Sequence, residues 1–251
     1  MTQHTLQGRT DDEVLWFQRR SFLHAAAAWT ALGGWQMASA QDRSNIVELR
    51  GDALVNGRAL SAQQTIQTGD QIETGPGGNL IFVIGNASFQ VRQSSRLTVE
   101  RGASLFSVSV LRLLAGGVAS VWGRGSQRQI VMPTMTAGIR GTGVYSEVMA
   151  NQNGRGYFCN CYGTVDMGAG KDKTVSQSSY HQAFWGEVEP RNGRMLTPAG
   201  AFNHTDEELE VLARLVNQRT AWQVSGARGV KDGKGFLYNQ PGQMHPAEMI
   251  K

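Results

Sequence analysis

From Ile46 to about Val188 the apolar residues recur with a period near two rather than 3.6. That is the spacing of strands with a buried face. Leu80-Ile-Phe-Val-Ile84 is a continuous apolar run, while Phe89-Gln-Val91, Leu97-Thr-Val99, Leu105 to Val110 and Val144 to Val148 alternate. Turn signals punctuate them at Asn56-Gly57, Gly69-Asp70, Gly75 to Gly78, Gly85-Asn86, Gly116-Gly117 and Asn153-Gly154. Asn-Gly tolerates the positive φ that a two-residue hairpin needs. Glycine is abundant, 31 of 251 residues against 6 prolines, as many tight turns require. The expectation is an all-β fold over residues 45–190, a sandwich or a β-roll or solenoid-like arrangement of short strands. No fixed repeat period is visible, which weighs against the solenoid.

One helix stands out after the strands. Thr205-Asp-Glu-Glu208 is a capping box, a hydroxyl at the cap and a carboxylate three residues on. Leu209, Leu212, Leu215 and Val216 then share one face. The spacing predicts an amphipathic helix within 203–222, ending near Arg219 and docked on the β body. Residues 225–251 have little to bury and read as a loosely ordered tail.

The chain opens on a segment that reads as an address. Arg19 and Arg20, followed by Ser21, Phe22 and Leu23, resemble the twin-arginine export signal. Gln18 departs from that pattern, where a small hydroxyl residue is more usual. A weakly apolar run follows and ends in Ala38-Ser39-Ala40, a small-x-small cleavage site. A stable anchor wants roughly 20 strongly apolar residues, and this run carries Gln36 and two glycines. The expectation is a signal peptide over 1–40, cleaved after Ala40, and a periplasmic mature chain with no transmembrane span.

The chemistry on offer is sparse. The formal charge is +4, from 24 basic and 20 acidic residues, with no Lys/Arg block, so nucleic-acid binding is not expected. No nucleophile elbow or phosphate loop is present, no catalytic residues are expected and the chain does not read as an enzyme. The carboxylates at 206–208 suit a helix N-terminus. Two cysteines exclude a disulfide-dense scaffold and a four-cysteine zinc site. Cys159-Asn-Cys161 is the one chemical constellation. On a strand, residues i and i+2 face the same way, so the thiols point together. Three readings stay open: plain packing, a disulfide or redox pair in an oxidising compartment, and a metal site of Cys159 and Cys161 completed by His181 or His204. A bridge would be strained, because the strand spaces the two Cα atoms about 7 Å apart. His181 is expected nearer the pair than His204, and no cofactor beyond a metal ion is expected.

Several pieces together resemble the FecR domain, named for the periplasmic regulator of iron-dicitrate uptake. They are Asn56-Gly57, then Ile66-Gln-Thr-Gly69-Asp70-Gln-Ile72-Glu-Thr74-Gly75, then the apolar run to Ile84, Gly116-Gly117-Val118 and Ala137-Gly-Ile-Arg140-Gly141-Thr142-Gly143-Val-Tyr145. The resemblance covers about residues 45–150. Cys159 to Gly163 and Asn203 to Asp206 look like extensions carried by a subset of such proteins. Full regulators of that family have a sigma-factor-binding segment, a membrane helix and a part that meets an outer-membrane receptor. The roughly 18 residues before the arginine pair are too few for the first, so the signalling role is not expected. What the resemblance implies is an exported, non-catalytic module that binds another envelope component, most simply a protein. Its signature residues read mainly as scaffold: Gly69, Asp70, Thr74 and Gly75 as turns around a strand, Gly141 and Thr142 as a bulge or close approach, and Arg140 as a contact for a ligand anion or, with more weight, one half of a buried or half-buried ion pair, with Asp70 its candidate partner.

Replacing Arg19 and Arg20 together by lysine is expected to leave the precursor in the cytoplasm. Fractionation that finds normal periplasmic recovery would exclude the twin-arginine route.

Overall fold

In the computed structural model, residues 44–104, 107–125, 128–226 and 228 are described. The expected signal peptide over 1–40 and most of the expected tail over 225–251 lie outside the described residues; Ser225 itself ends a helix. The elements are β1 (Ile46–Arg50), β2 (Ala53–Val55), β3 (Arg58–Ala59), β4 (Gln71–Thr74), β5 (Asn79–Ile84), β6 (Ala87–Val91), β7 (Arg96–Arg101), β8 (Val108–Trp122), β9 (Arg128–Val131), β10 (Thr136–Ile139), β11 (Gly143–Met149), β12 (Arg155–Ala169), β13 (Asp172–Ser178), β14 (Gln182–Arg191), β15 (Arg194–Ala199), α1 (Asp206–Leu215) and α2 (Ala221–Ser225).

The strands form two sheets that share their two longest members. The first runs β1-β5-β6-β8-β11-β12-β14-β15, antiparallel throughout. The second runs β3-β2-β4-β7-β8-β9-β10-β12-β13, antiparallel except for the parallel pair β8 and β9. The leading part of β8 pairs in the second sheet and its trailing part in the first; β12 passes the other way. Glycine makes both passages possible. Gly116 has φ +71°, and a Cβ there would collide with Ser95; Gly163 has φ +102°, and a Cβ would lie 2.5 Å from Thr142. The expected turn at Gly116-Gly117 is therefore a bend inside one 15-residue strand. A left-handed glycine inside an extended strand bends it, so that pairing continues on a new sheet instead of the chain reversing.

Between the sheets lies one apolar core, with Phe82, Phe89, Val118 and Trp122 from the first sheet and Leu97, Leu111, Ile130 and Val165 from the second. A second cluster covers the opposite face of the first sheet. There Ile81, Val121, Tyr145, Tyr157 and both cysteines meet Leu209, Leu212 and Trp222 of the C-terminal segment. The layers are thus sheet, sheet and helix. The fold is all-β with a docked C-terminal helix, and no helix among the described residues is long and apolar enough to cross a membrane.

α1 starts where the sequence says it should. Thr205 accepts from the Glu208 N–H and Glu208 accepts from the Thr205 N–H, the reciprocal capping box. The helix ends at Leu215, earlier than the expected Arg219, because Asn217 turns left-handed at φ +55°. A separate second helix, α2, follows with its own Thr220/Gln223 capping box, where the sequence reading had one helix. Glu208 also forms a buried ion pair with Arg92 at the end of β6, and Ser88 donates to the Leu212 carbonyl at 2.7 Å. Leu212 is fully buried, so Leu212→Ala is expected to cost about 2–5 kcal/mol of stability, measurable by denaturant unfolding.

Candidate metal centre

β12 places Cys159 and Cys161 on the face of the first sheet that α1 covers, and both are fully buried. Their sulfurs are free thiols 3.9 Å apart. His181 lies opposite Cys161, one residue before β14, and its N–H donates to the Cys161 carbonyl at 2.8 Å. It sits in the left-handed region at φ +47°, a conformation that costs energy in a non-glycine residue and often marks a functional position. His204 arrives from the other direction, just before α1, aimed by Asn203 at φ +60°. Its ring stacks on Tyr145, 4.9 Å between centroids.

The four side chains converge. Cys159 Sγ is 3.7 Å from His181 Nδ1, and His181 Nδ1 is 2.9 Å from His204 Nε2. One ligand atom from each of the four lies within 4.8 Å of all the others. A tetrahedral zinc with ordinary bond lengths separates its donors by about 3.8 Å (S to S), 3.6 Å (S to N) and 3.3 Å (N to N). The Cys159–Cys161 and Cys159–His181 spacings fall close to these values, while the imidazole pair would need to widen by about 0.4 Å and the widest pair, within 4.8 Å, to close by up to about 1 Å.

The outer hydrogen bonds sharpen the fit. His204 Nδ1 faces the Phe202 carbonyl at 2.7 Å. A carbonyl only accepts, so Nδ1 carries the proton and Nε2 presents its lone pair. His181 Nε2 faces Asp206 Oδ1 at 2.9 Å, so Nε2 carries the proton and Nδ1 presents its lone pair. In their neutral forms the two imidazoles thus point lone pair at lone pair. Only a cation between them, a proton or a metal ion, makes that arrangement favourable. Metal-ligating histidines are commonly oriented this way by a carboxylate or carbonyl on the far nitrogen.

Electrostatics agrees with the geometry. Burial works against a charge on His181, but the neighbouring Cys161 and Asp206 outweigh it and raise its pKa to about 9. Burial, together with Cys159, pushes the Cys161 thiol well above its ordinary value. The buried Asp206 carboxylate also favours a cation here. Asp206 is fully buried and also accepts from Tyr180 OH at 2.9 Å. Trp222 of α2 closes the centre, stacking on His181 with centroids 5.4 Å apart.

The structure brings Cys159, Cys161 and His181 together and adds His204 to them, where the sequence offered the two histidines as alternatives. Sequence reasoning missed Asp206, whose charge suits a helix N-terminus in any case, and Trp222. Arg140 pairs with Asp166, Nη2 to Oδ2 at 2.6 Å, and not with Asp70, and the pair is exposed rather than buried or half-buried. The reason is register: β10 lies beside β12, which sets Gly138 against Asp166. Asp70 instead closes its own turn, accepting from Asn56 Nδ2 and the Gln67 N–H, both at 2.7 Å. Gly69 has φ +104° in that turn, Thr74 donates to the Arg92 carbonyl, and the Gly75 N–H donates to the Asp52 carbonyl at 2.8 Å. Gly141 has φ +73° and Thr142 is fully buried where the chain passes between sheets. None of these signature residues supplies a donor to the cluster.

No protein-family model matches the chain, and no curated protein matches it. Among solved structures it is similar to two crystal structures, at 1.65 and 2.50 Å resolution, of a protein from Parabacteroides distasonis ATCC 8503 provisionally named an anti-sigma factor. Identity is 7% in both, with TM-scores of 0.40 and 0.39. The match covers 46% and 48% of this chain and 53% and 55% of those chains, so about half of their length. A likeness at this level carries no functional weight, and the centre's geometry must stand alone.

Ligation requires thiolate and neutral imidazole, so binding a metal displaces the Cys161 proton, which burial holds on the thiol near neutrality. Metal affinity is therefore expected to fall as pH drops from 8 to 6, by about tenfold per unit for this proton alone. Competition titrations with a zinc indicator check the slope.

Proposed function

We propose that the protein is a non-catalytic, metal-binding β domain of the cell envelope whose buried Cys159, Cys161, His181 and His204 hold one divalent transition-metal ion, zinc first. The observation that supports this most is the opposed pair of imidazole lone pairs beside two thiols, each imidazole N–H already committed elsewhere. Two thiolates, two neutral imidazoles and a divalent ion sum to zero charge. That matters where the four ligand residues are at most 5% exposed, because a buried net charge is costly. A monovalent ion would leave the centre negative, and hard ions such as calcium or magnesium prefer oxygen.

Four protein ligands close the coordination sphere. Catalytic zinc sites keep a position for water or substrate, whereas closed sites stabilise the fold. This supports reading the chain as a binding module rather than an enzyme. The resemblance of residues 45–150 to the FecR domain and the export signal at 1–40 fit a periplasmic setting and an envelope partner, most simply a protein. A second reading has one observation behind it. The sulfurs are 3.9 Å apart, close enough for two-electron oxidation to draw them into a strained, easily reduced disulfide.

Elemental analysis of the mature protein, purified without chelators or metal resins, is expected to find about one zinc per chain. Cys159→Ser with Cys161→Ser should lose it. A metal-free protein that takes up neither zinc nor cobalt would exclude the centre, and a stoichiometric disulfide in its place would favour the redox pair.

A further inference from the structure

We infer that the metal ion is a latch, its occupancy setting whether residues 201–225 remain docked on the first sheet; this rests on the metal-centre reading above. Three of the four donors belong to the sheet: Cys159 and Cys161 on β12, and His181 at the mouth of β14. His204 alone belongs to the segment that carries α1 and α2. An ion held by all four therefore ties the segment to the sheet through a coordinate bond, and an ion held by three does not.

The two apolar clusters make the effect local. The core between the sheets contains none of the four ligands, and both cysteines fall in the cluster beneath α1. What the ion joins is the outer layer. The other ties of that layer are non-covalent, among them the Leu209 and Leu212 side chains, the Arg92–Glu208 pair, the Ser88 bond to Leu212, the Asp206 bonds to Tyr180 and His181, and the Asn203 bond to Glu147. In the metal-free docked state the imidazoles face each other at 2.9 Å with at most one proton between them. The ion replaces that single hydrogen bond by a coordinate bond to each ring. Under the segment lies an aromatic face. Tyr145 stacks on His204, and the Tyr157 OH accepts the Phe202 N–H at 3.2 Å and donates to the Gly200 carbonyl at 2.9 Å.

The size of the effect follows from linkage. An ion that binds only the docked form reduces the opening equilibrium by the factor 1 + [M]/Kd. A free-ion concentration about a thousand times Kd therefore suppresses opening about a thousandfold. Elements of a fold open separately when their contacts are separate, so the suppression should be confined to this layer.

Hydrogen exchange read by mass spectrometry tests this on the mature protein, stripped of metal and then loaded with zinc. Cobalt absorption bands on a parallel sample report whether an ion binds. The expected result is exchange at least tenfold slower across 201–225 on loading, with peptides of β9 and β10 changed less than twofold. In His204→Ala, cobalt should still bind through the three sheet donors, more weakly, and exchange across 201–225 should no longer respond. Cobalt bands with unchanged exchange across 201–225 would overturn the latch and leave the metal centre standing. So would slowing spread evenly over both sheets. Absence of the bands would remove the centre and the latch together. If His204→Ala does not fold, the comparison of stripped and loaded wild type decides alone.

Discussion

Over its central strands both faces of the first sheet are buried, one against the second sheet and one against the C-terminal segment. A sheet in that position cannot alternate apolar and polar residues freely, and every polar group it carries needs a partner. β6 is buried at all five positions, and β5 at five of six. Ser88 donates to the Leu212 carbonyl, Gln90 Nε2 donates to Asn79 Oδ1, and Arg92 pairs with Glu208. The cysteines lie on the same dry face. Their chemistry is the consequence of a strand whose outward side was never left to water.

The centre is assembled from parts with no close spacing in the chain. Familiar zinc modules announce themselves by paired ligands a few residues apart. Here only Cys159 and Cys161 are close, and the two histidines come from separate elements. Each imidazole is fixed from behind, His181 by Asp206 and His204 by the Phe202 carbonyl. Such outer contacts set the tautomer, and through it which nitrogen faces inward. Asp206 therefore has two physical roles. It favours the positive N-terminus of α1, and it fixes a ring that belongs to the sheet.

Much of the fold is legible in the sequence, and for identifiable reasons. The continuous run at Leu80 to Ile84 and the alternation at Leu97 to Val99 are strands because burial requires those patterns. Thr205 and Glu208 mark the start of α1, since a capping box is a local arrangement. The places where sequence reading stops are those where a distant contact decides. Gly116-Gly117 reads as a turn, yet pairing with β11 on one side of it and β7 on the other keeps the chain extended. Arg140 finds Asp166 because two strands lie in register, which no single-strand pattern encodes. His204 and Asp206 join the cysteines only because the helix folds back over the sheet. Their spacing from Cys159 carries no trace of that.

The passage of β8 and β12 from one sheet to the other also shapes how the molecule bears force. In a sandwich whose strands each belong to one sheet, the two layers can slide or peel apart while each stays intact. Here a pull along β12 strains the ladders with β11 and β14 at one end and with β10 and β13 at the other. β8 does the same with β6 and β11, and with β7 and β9. The layers are stitched rather than stacked, so shear between them has no weak plane to follow. Tension on this domain should produce a single rupture of both sheets, with only the outer helical layer free to come away first.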